Sequence, residues 1–172
     1  GGLGALPCAL LTPDQITAQV AQYRQGSEGP LNLNFFCHRR PVPDDAAEAA
    51  WRQSLAPYFR ELGLSPEAPA VGASRAPFDE DYCAVVEATA PEVVSFHFGL
   101  PEAALLARVK ATGAKVVSSA TTVAEAIWLE THGCDAVIAM GYEAGGHRGS
   151  FLTDDMGTQP GLMALLPQVV DA

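Results

Sequence analysis

The sequence predicts an α/β fold in which parallel strands and crossover helices build part of a (β/α)8 barrel of the TIM type. Three observations carry this reading. Short apolar runs alternate with longer amphipathic ones along most of the chain. The short runs are nearly all apolar, as strands covered by helices require. Polar side chains recur inside the strands and at their ends, where a barrel opens and assembles its site. Strand–helix–strand repeats imply parallel strands joined by crossovers. A doubly wound open sheet is the other solution, but its G-x-G-x-x-G first-turn fingerprint is absent.

The elements follow in order. Thr12 precedes Pro13, and Gln15 stands three residues after Thr12, a capping-box pattern that starts a helix. Ile16, Val20 and Tyr23 share one face of it, and Gly26 ends it. "LNLNFF" (31–36) reads as a strand. In the helical run after it, Trp51, Leu55, Phe59 and Leu62 line up, and Pro57 predicts a kink or a break. The Pro-rich stretch 64–78 reads as loop, "DEDYCAVVEATAP" as a helix, and "VVSFHF" (93–98) as a strand. "PEAALLARVKATG" is a helix closed by Gly113, followed by the strand "KVVSSA". A second capping box, Thr122 with Glu125, opens a helix closed at Gly133. "DAVIAM" (135–140) is the strand that leads into "GYEAGGHRGSF".

Composition narrows the function. With 172 residues, 48% of them hydrophobic, the chain can bury a core and reads as one domain, 1–172. No apolar run reaches the about 18 residues a bilayer span needs, and no secretory signal is visible. A net charge of −10, with Arg39-Arg40 the only basic doublet, disfavours nucleic acid. Cys8, Cys37, Cys83 and Cys134 are scattered without a C-x-x-C pair, which reads as reduced thiols in a cytoplasmic protein. Cys37-His38 lacks the three or four converging ligands of a zinc site, so no metal is expected.

Strand parity points inward. On "LNLNFF", Leu31, Leu33 and Phe35 share one face and Asn32 and Asn34 the other. On "VVSFHF", Ser95 and His97 oppose Val94, Phe96 and Phe98. Apolar faces packed on helices would turn these amides and imidazoles into the barrel. Buried there, each needs a partner or costs about 1–3 kcal/mol. A packed core in which Asn34, Ser95 and His97 satisfy one another is the alternative. Ser118 and Ser119 end a strand, and either one could face inward.

Four segments make the reading specific: "GGLGALPCALLTP", "PLNLNFFCHRRP", "VVSFHFGLP" and "GYEAGGHRGSF". Together, in this order over positions 1 to 151, they resemble the nitronate monooxygenases (formerly 2-nitropropane dioxygenases), class I, flavin enzymes on a (β/α)8 barrel. The resemblance implies FMN at the barrel mouth, and O2 oxidising an alkyl nitronate such as propionate 3-nitronate to a carbonyl compound and nitrite. His147 would be the catalytic base or nitronate-positioning group, since an imidazole titrating near pH 6.5 suits proton transfer at physiological pH. His97 would line the substrate side. Asn34 would meet the flavin edge, and Gly145 and Gly146 would let the backbone approach the ring. Partners would be the small-molecule nitronate and O2, with homo-oligomerisation left open.

Arg148 reads as a pairing or capping residue, His38 as a loop or entrance residue, and His132 as a helix-end residue complementing the dipole. Two departures from the family pattern stand out. Met140 occupies a position where the family usually carries a glutamine that contacts flavin, and a thioether is only a weak acceptor. Counting "GGLGAL" as the end of strand two, the chain carries roughly strands two to six. Strands one, seven and eight are missing, and the loops after strands seven and eight usually hold the phosphate. The chain therefore reads as a piece of a longer barrel enzyme. The alternatives are an FMN-dependent NAD(P)H:quinone or enoyl-thioester reductase, and a non-catalytic barrel fragment.

Overall fold

The computed structural model describes residues 2–40, 42, 44–65 and 76–172. Contacts divide the chain into two compact units, Gly1–Arg39 with Arg75–Ala172, and Arg40–Ser74. The first is a five-stranded parallel sheet: β1 (Gly4–Pro7), β2 (Leu31–Phe36), β3 (Val93–His97), β4 (Lys115–Ala120) and β5 (Ala136–Ala139). Spatial order follows chain order without reversal. A doubly wound sheet reverses its order at a switch point, whereas a barrel adds each strand beside the last. The fold is thus part of a (β/α)8-type barrel.

The crossovers are α1 (Pro13–Gly26), α3 (Glu80–Thr89), α4 (Ala103–Ala111) and α5 (Val123–Thr131), and α6 (Leu162–Val170) follows β5. The second unit contains α2 (Asp45–Glu61), started by Asp44, whose carboxylate accepts from Ala47 N at 2.9 Å. Pro57 lies inside α2 without ending it, so the expected break is not seen. The centre of the Pro-rich stretch, 66–75, lies outside the described residues. Among the described residues no helix is long and apolar enough to cross a membrane.

Alternation along the strands sorts side chains to two sides of the sheet. Leu31, Leu33, Phe35, Val94, Phe96 and Val116 are buried in one cluster with Ile16 and Val20 of α1, Cys83 and Val86 of α3, and Leu106 and Val109 of α4. Each such side chain contributes roughly 2 kcal/mol by leaving water. Phe35 sits at its centre, its ring 5.0 Å from Phe78 and 5.4 Å from Tyr82. At the N-terminal ends of the strands, Glu92 accepts Leu31 N at 2.8 Å and pairs with Arg24 at 2.7 Å. That clasp lies at the end of a barrel that serves stability, which leaves the opposite end for chemistry.

Two helix starts carry the same sequence pattern. At α1, Thr12 Oγ1 accepts Gln15 N at 3.3 Å and Gln15 Oε1 accepts Thr12 N at 2.9 Å, closing the expected box. At α5, Thr122 Oγ1 accepts Glu125 N at 3.2 Å, but the Glu125 carboxylate turns elsewhere. α6 is a helix for which the sequence offered no start signal. Its Gly161 N-cap has no side chain, and Pro167 lies inside it.

Candidate active site

The face of the sheet away from the helices is polar. Register pairs Asn34 with Ser95 and Phe36 with His97 across β2 and β3, and Val117 with Ala136 across β4 and β5. Asn32 and Asn34 both donate from Nδ2 to Ser95 Oγ, at 2.9 and 2.8 Å. His97 Nδ1 lies 2.6 Å from Ser119 Oγ. Ser119 is therefore the serine that faces inward. Ser118 is buried outward, donating to the carbonyls of Phe96 and Gly99 at 3.1 and 2.8 Å. The mutual satisfaction foreseen for Asn34, Ser95 and His97 holds for the first two only. Asn32 Oδ1 stays buried without a partner.

At the C-terminal ends of the strands, rings gather around His147. Its imidazole stands 5.3 Å from Phe36, 5.9 Å from Phe98 and 6.5 Å from His97, all close to edge-on. Phe98 packs on His97 at 4.3 Å. It does so with φ of +68°, a left-handed conformation that bulky residues rarely adopt. Such strain costs about 1–3 kcal/mol and concentrates at working sites.

The loop after β5 is shaped by two glycines. Gly146 has φ of +81°, where a side chain would strain the backbone. A Cβ at Gly149 would stand 2.7 Å from His97 Cε1 and 3.3 Å from Ser119 Oγ. Only a bare backbone lets the loop come that close. Gly145 and Gly146 open on free space. Arg148 turns back into the loop, donating to Tyr142 O at 2.8 Å and Gln159 Oε1 at 3.0 Å, with its guanidinium 4.1 Å from the Tyr142 ring. It braces the loop and takes no place among the rings.

A hollow of about 350 Å³ collects these groups. Asn34, Phe36, Ser95, His97, Ser119, Ile138, Met140, Gly145, Gly146 and His147 line it. Asn34, His97, Met140, Gly145, Gly146 and His147, all singled out in the sequence, meet here. His38 instead lines a second cavity of about 640 Å³ with Arg39 and Trp128. His132 caps α5, with Nδ1 2.7 Å from Trp128 O and its ring stacked on Trp128 at 3.9 Å. Burial is the main force pushing the His97 imidazole below its ordinary value. The nearby His147 adds to this, and a main-chain hydrogen bond at His147 opposes it. His97 is thereby held neutral at pH 7.

Gly149 and Phe36 were not singled out by the sequence, Ser119 was left undecided against Ser118, Phe98 was read only as an apolar strand residue, and Glu125 only as half of a capping box. Counting parity from the outward Val116 would have found Ser119. Gly149 carries no local signal, because what it must avoid lies on another strand. Among the described residues no cluster of three or more metal-ligating side chains occurs.

The hollow suits the planar, partly polar ring of a flavin. Its apolar walls are Phe36, Ile138 and Met140, its polar groups come from Asn34, Ser95, His97, Ser119 and His147, and the loop glycines leave the approach open. Met140 offers its thioether there. The Gln159 side-chain amide, bonded to Met140 O at 3.1 Å, is also committed to Arg148.

Comparison with known proteins identifies the lineage. A family model described as nitronate monooxygenase matches residues 1–172. A nitronate monooxygenase of Paraburkholderia phytofirmans is 39% identical over 166 residues, covering 96% of this chain and 45% of that protein. One from Pseudomonas aeruginosa is 36% identical over 168 residues, covering 96% and 48%. The chain thus spans about half the length of the curated relatives it matches. Among solved structures, a nitroalkane oxidase from Streptomyces ansochromogenes superposes with a TM-score of 0.81 at 32% identity, over 99% of this chain and 48% of that one. FabK from Thermotoga maritima reaches 0.65 at 22% identity, covering 99% and 40%, a likeness of fold alone. The family model matches the full 172 residues, so the chain belongs to the nitronate monooxygenase family.

Proposed function

We propose that the protein of which this chain forms part oxidises alkyl nitronates, propionate 3-nitronate being one example, with FMN and O2, to a carbonyl compound and nitrite. The observation that supports it best is the facing of His147 and His97 over one hollow, 6.5 Å apart, at the C-terminal ends of parallel strands. A bound FMN would supply the electron-accepting ring this oxidation requires. Gly145, Gly146 and Met140 would border that ring. Asn34, its amide nitrogen held by Ser95, would offer the ring its carbonyl oxygen. The phosphate would be held by strands seven and eight of the whole barrel.

The chain's own residues then divide the remaining work. His147, exposed at the rim of the hollow, takes the proton from the acidic carbon of a neutral nitroalkane, or orients the nitronate once formed. His97, neutral and fixed by Ser119, lines the opposite side for the nitronate oxygens. Phe36 and Phe98 shield the reacting carbon from water.

The test uses purified full-length protein, which should carry FMN, consume O2 with nitronates and release nitrite. His147→Asn should lower turnover of neutral nitroalkanes by about 10²–10⁴-fold, the usual contribution of a positioned base, with a smaller loss on preformed nitronates. Rapid NADH oxidation without nitronate, or failure to bind flavin, would refute this reading.

A further inference from the structure

Glu125 is the acidic side chain among the described residues that is wholly enclosed, at 0% exposure. Its two oxygens serve different segments. Oε2 accepts the N–H and the hydroxyl of Thr121, both at 2.7 Å. Oε1 accepts Phe151 N at 2.7 Å and Leu152 N at 3.2 Å. Thr121 follows β4 directly, two residues beyond the Ser119 that holds His97. Phe151 lies two residues beyond Gly149, whose backbone sits against His97, and four beyond His147. The carboxylate thus ties the stretch that carries Ser119, the hydroxyl partner of His97, to the stretch that carries His147.

Capping α5 does not demand this. Thr122 already accepts Glu125 N, and at α1 the equivalent Gln15 side chain folds back to close the box. At α5 that closure is given up so that the carboxylate can reach the loop. With four donors at 2.7–3.2 Å and no exposure, Glu125 touches no substrate.

We propose that Glu125 is a positioning residue that sets the placement of His147 relative to His97. The proposal rests on the reading of His147 as the group that deprotonates or orients the nitro compound.

The experiment compares Glu125→Gln with His147→Asn in the full-length flavin-loaded enzyme, using a neutral nitroalkane and its preformed nitronate. Glutamine keeps the shape but has one oxygen, so it satisfies one pair of donors and sets an NH2 against the other. A base displaced by about 1 Å can cost about 100-fold, whereas a preformed nitronate needs no proton removed. Glu125→Gln should therefore lower kcat/KM for the neutral nitroalkane about 10-fold or more beyond its effect on the nitronate. If His147→Asn separates the two substrates and Glu125→Gln lowers both equally or neither, Glu125 is only a core clasp and the proposal is overturned. If His147→Asn itself fails to separate them, the functional reading falls and the proposal with it. Should Glu125→Gln not fold, Thr121→Val removes a single donor. It should shift the same ratio in the same direction by about threefold, and an unchanged ratio would overturn the proposal.

Discussion

The starts of α1 and α5 share a threonine followed three residues later by a side chain able to close a capping box, yet only one closes it. Thr12 and Gln15 bond reciprocally at an exposed helix end. There the orphan N–H of Thr12 has only water as an alternative. Thr122 and Glu125 complete half of the same pattern. Around Glu125, itself wholly buried, lie the main-chain donors of Thr121, which is buried, and of Phe151 and Leu152, whose bonds to it are partly buried. An unpaired buried donor costs about 1–3 kcal/mol, more than closing a box at one helix end provides. Tertiary demand therefore overrides the local motif, and it does so beside the site.

Four changes would break or sharpen this contrast. Glu125→Ala should be the most damaging, at about 3 kcal/mol or more, because it strands several buried donors at once. Chemical denaturation of the full-length protein measures it, and a cost below that of Thr12→Ala would erase the contrast. Gly149→Ala comes next at about 1–3 kcal/mol, since the new methyl group would meet His97 Cε1 at 2.7 Å and something must shift. Its signature is a change in the His97 ring environment by NMR together with lost turnover. Thr12→Ala should cost about 1 kcal/mol, as an exposed cap does, and Gln15→Ala about half that or less.

The smallest effect follows from pH. His97 titrates below its ordinary 6.5 in the folded protein, so the unfolded chain binds its proton first as pH falls. The stability linked to its neutral form is present above about pH 6.5 and is lost as pH drops through that value toward the folded one. A His97→Gln variant should show a flatter melting temperature between pH 7 and pH 5 than the parent. Identical profiles would remove His97 from this role.

Most of the sheet was legible because strands buried on one side announce themselves by parity and composition. β2 and β4 match their expected bounds, and β3 and β5 differ only at their ends. The inward facing of Asn34 and His97 followed from the same parity, once helices covered the apolar side, whereas His147 was found through the family resemblance of its loop. α6 was not legible, since a glycine start and an internal proline hide a helix whose Leu165 is nonetheless fully buried. Pro57, read as a kink or a break, does not break α2, which runs through it. Ser119, Gly149 and the diverted Glu125 share one cause. Each is decided by a neighbour 20 or more residues away in the chain, and no local pattern reports that distance.

Phe98 has a consequence for how such a site can vary over generations. The residue types its backbone angle favours, glycine and asparagine, cannot supply the ring that packs against both His97 and His147. Under the proposed function, folding yield and turnover therefore select for different residues at one codon. A library randomised at position 98 and sorted by yield should enrich glycine and asparagine, while the same library sorted by nitrite release should keep aromatic side chains.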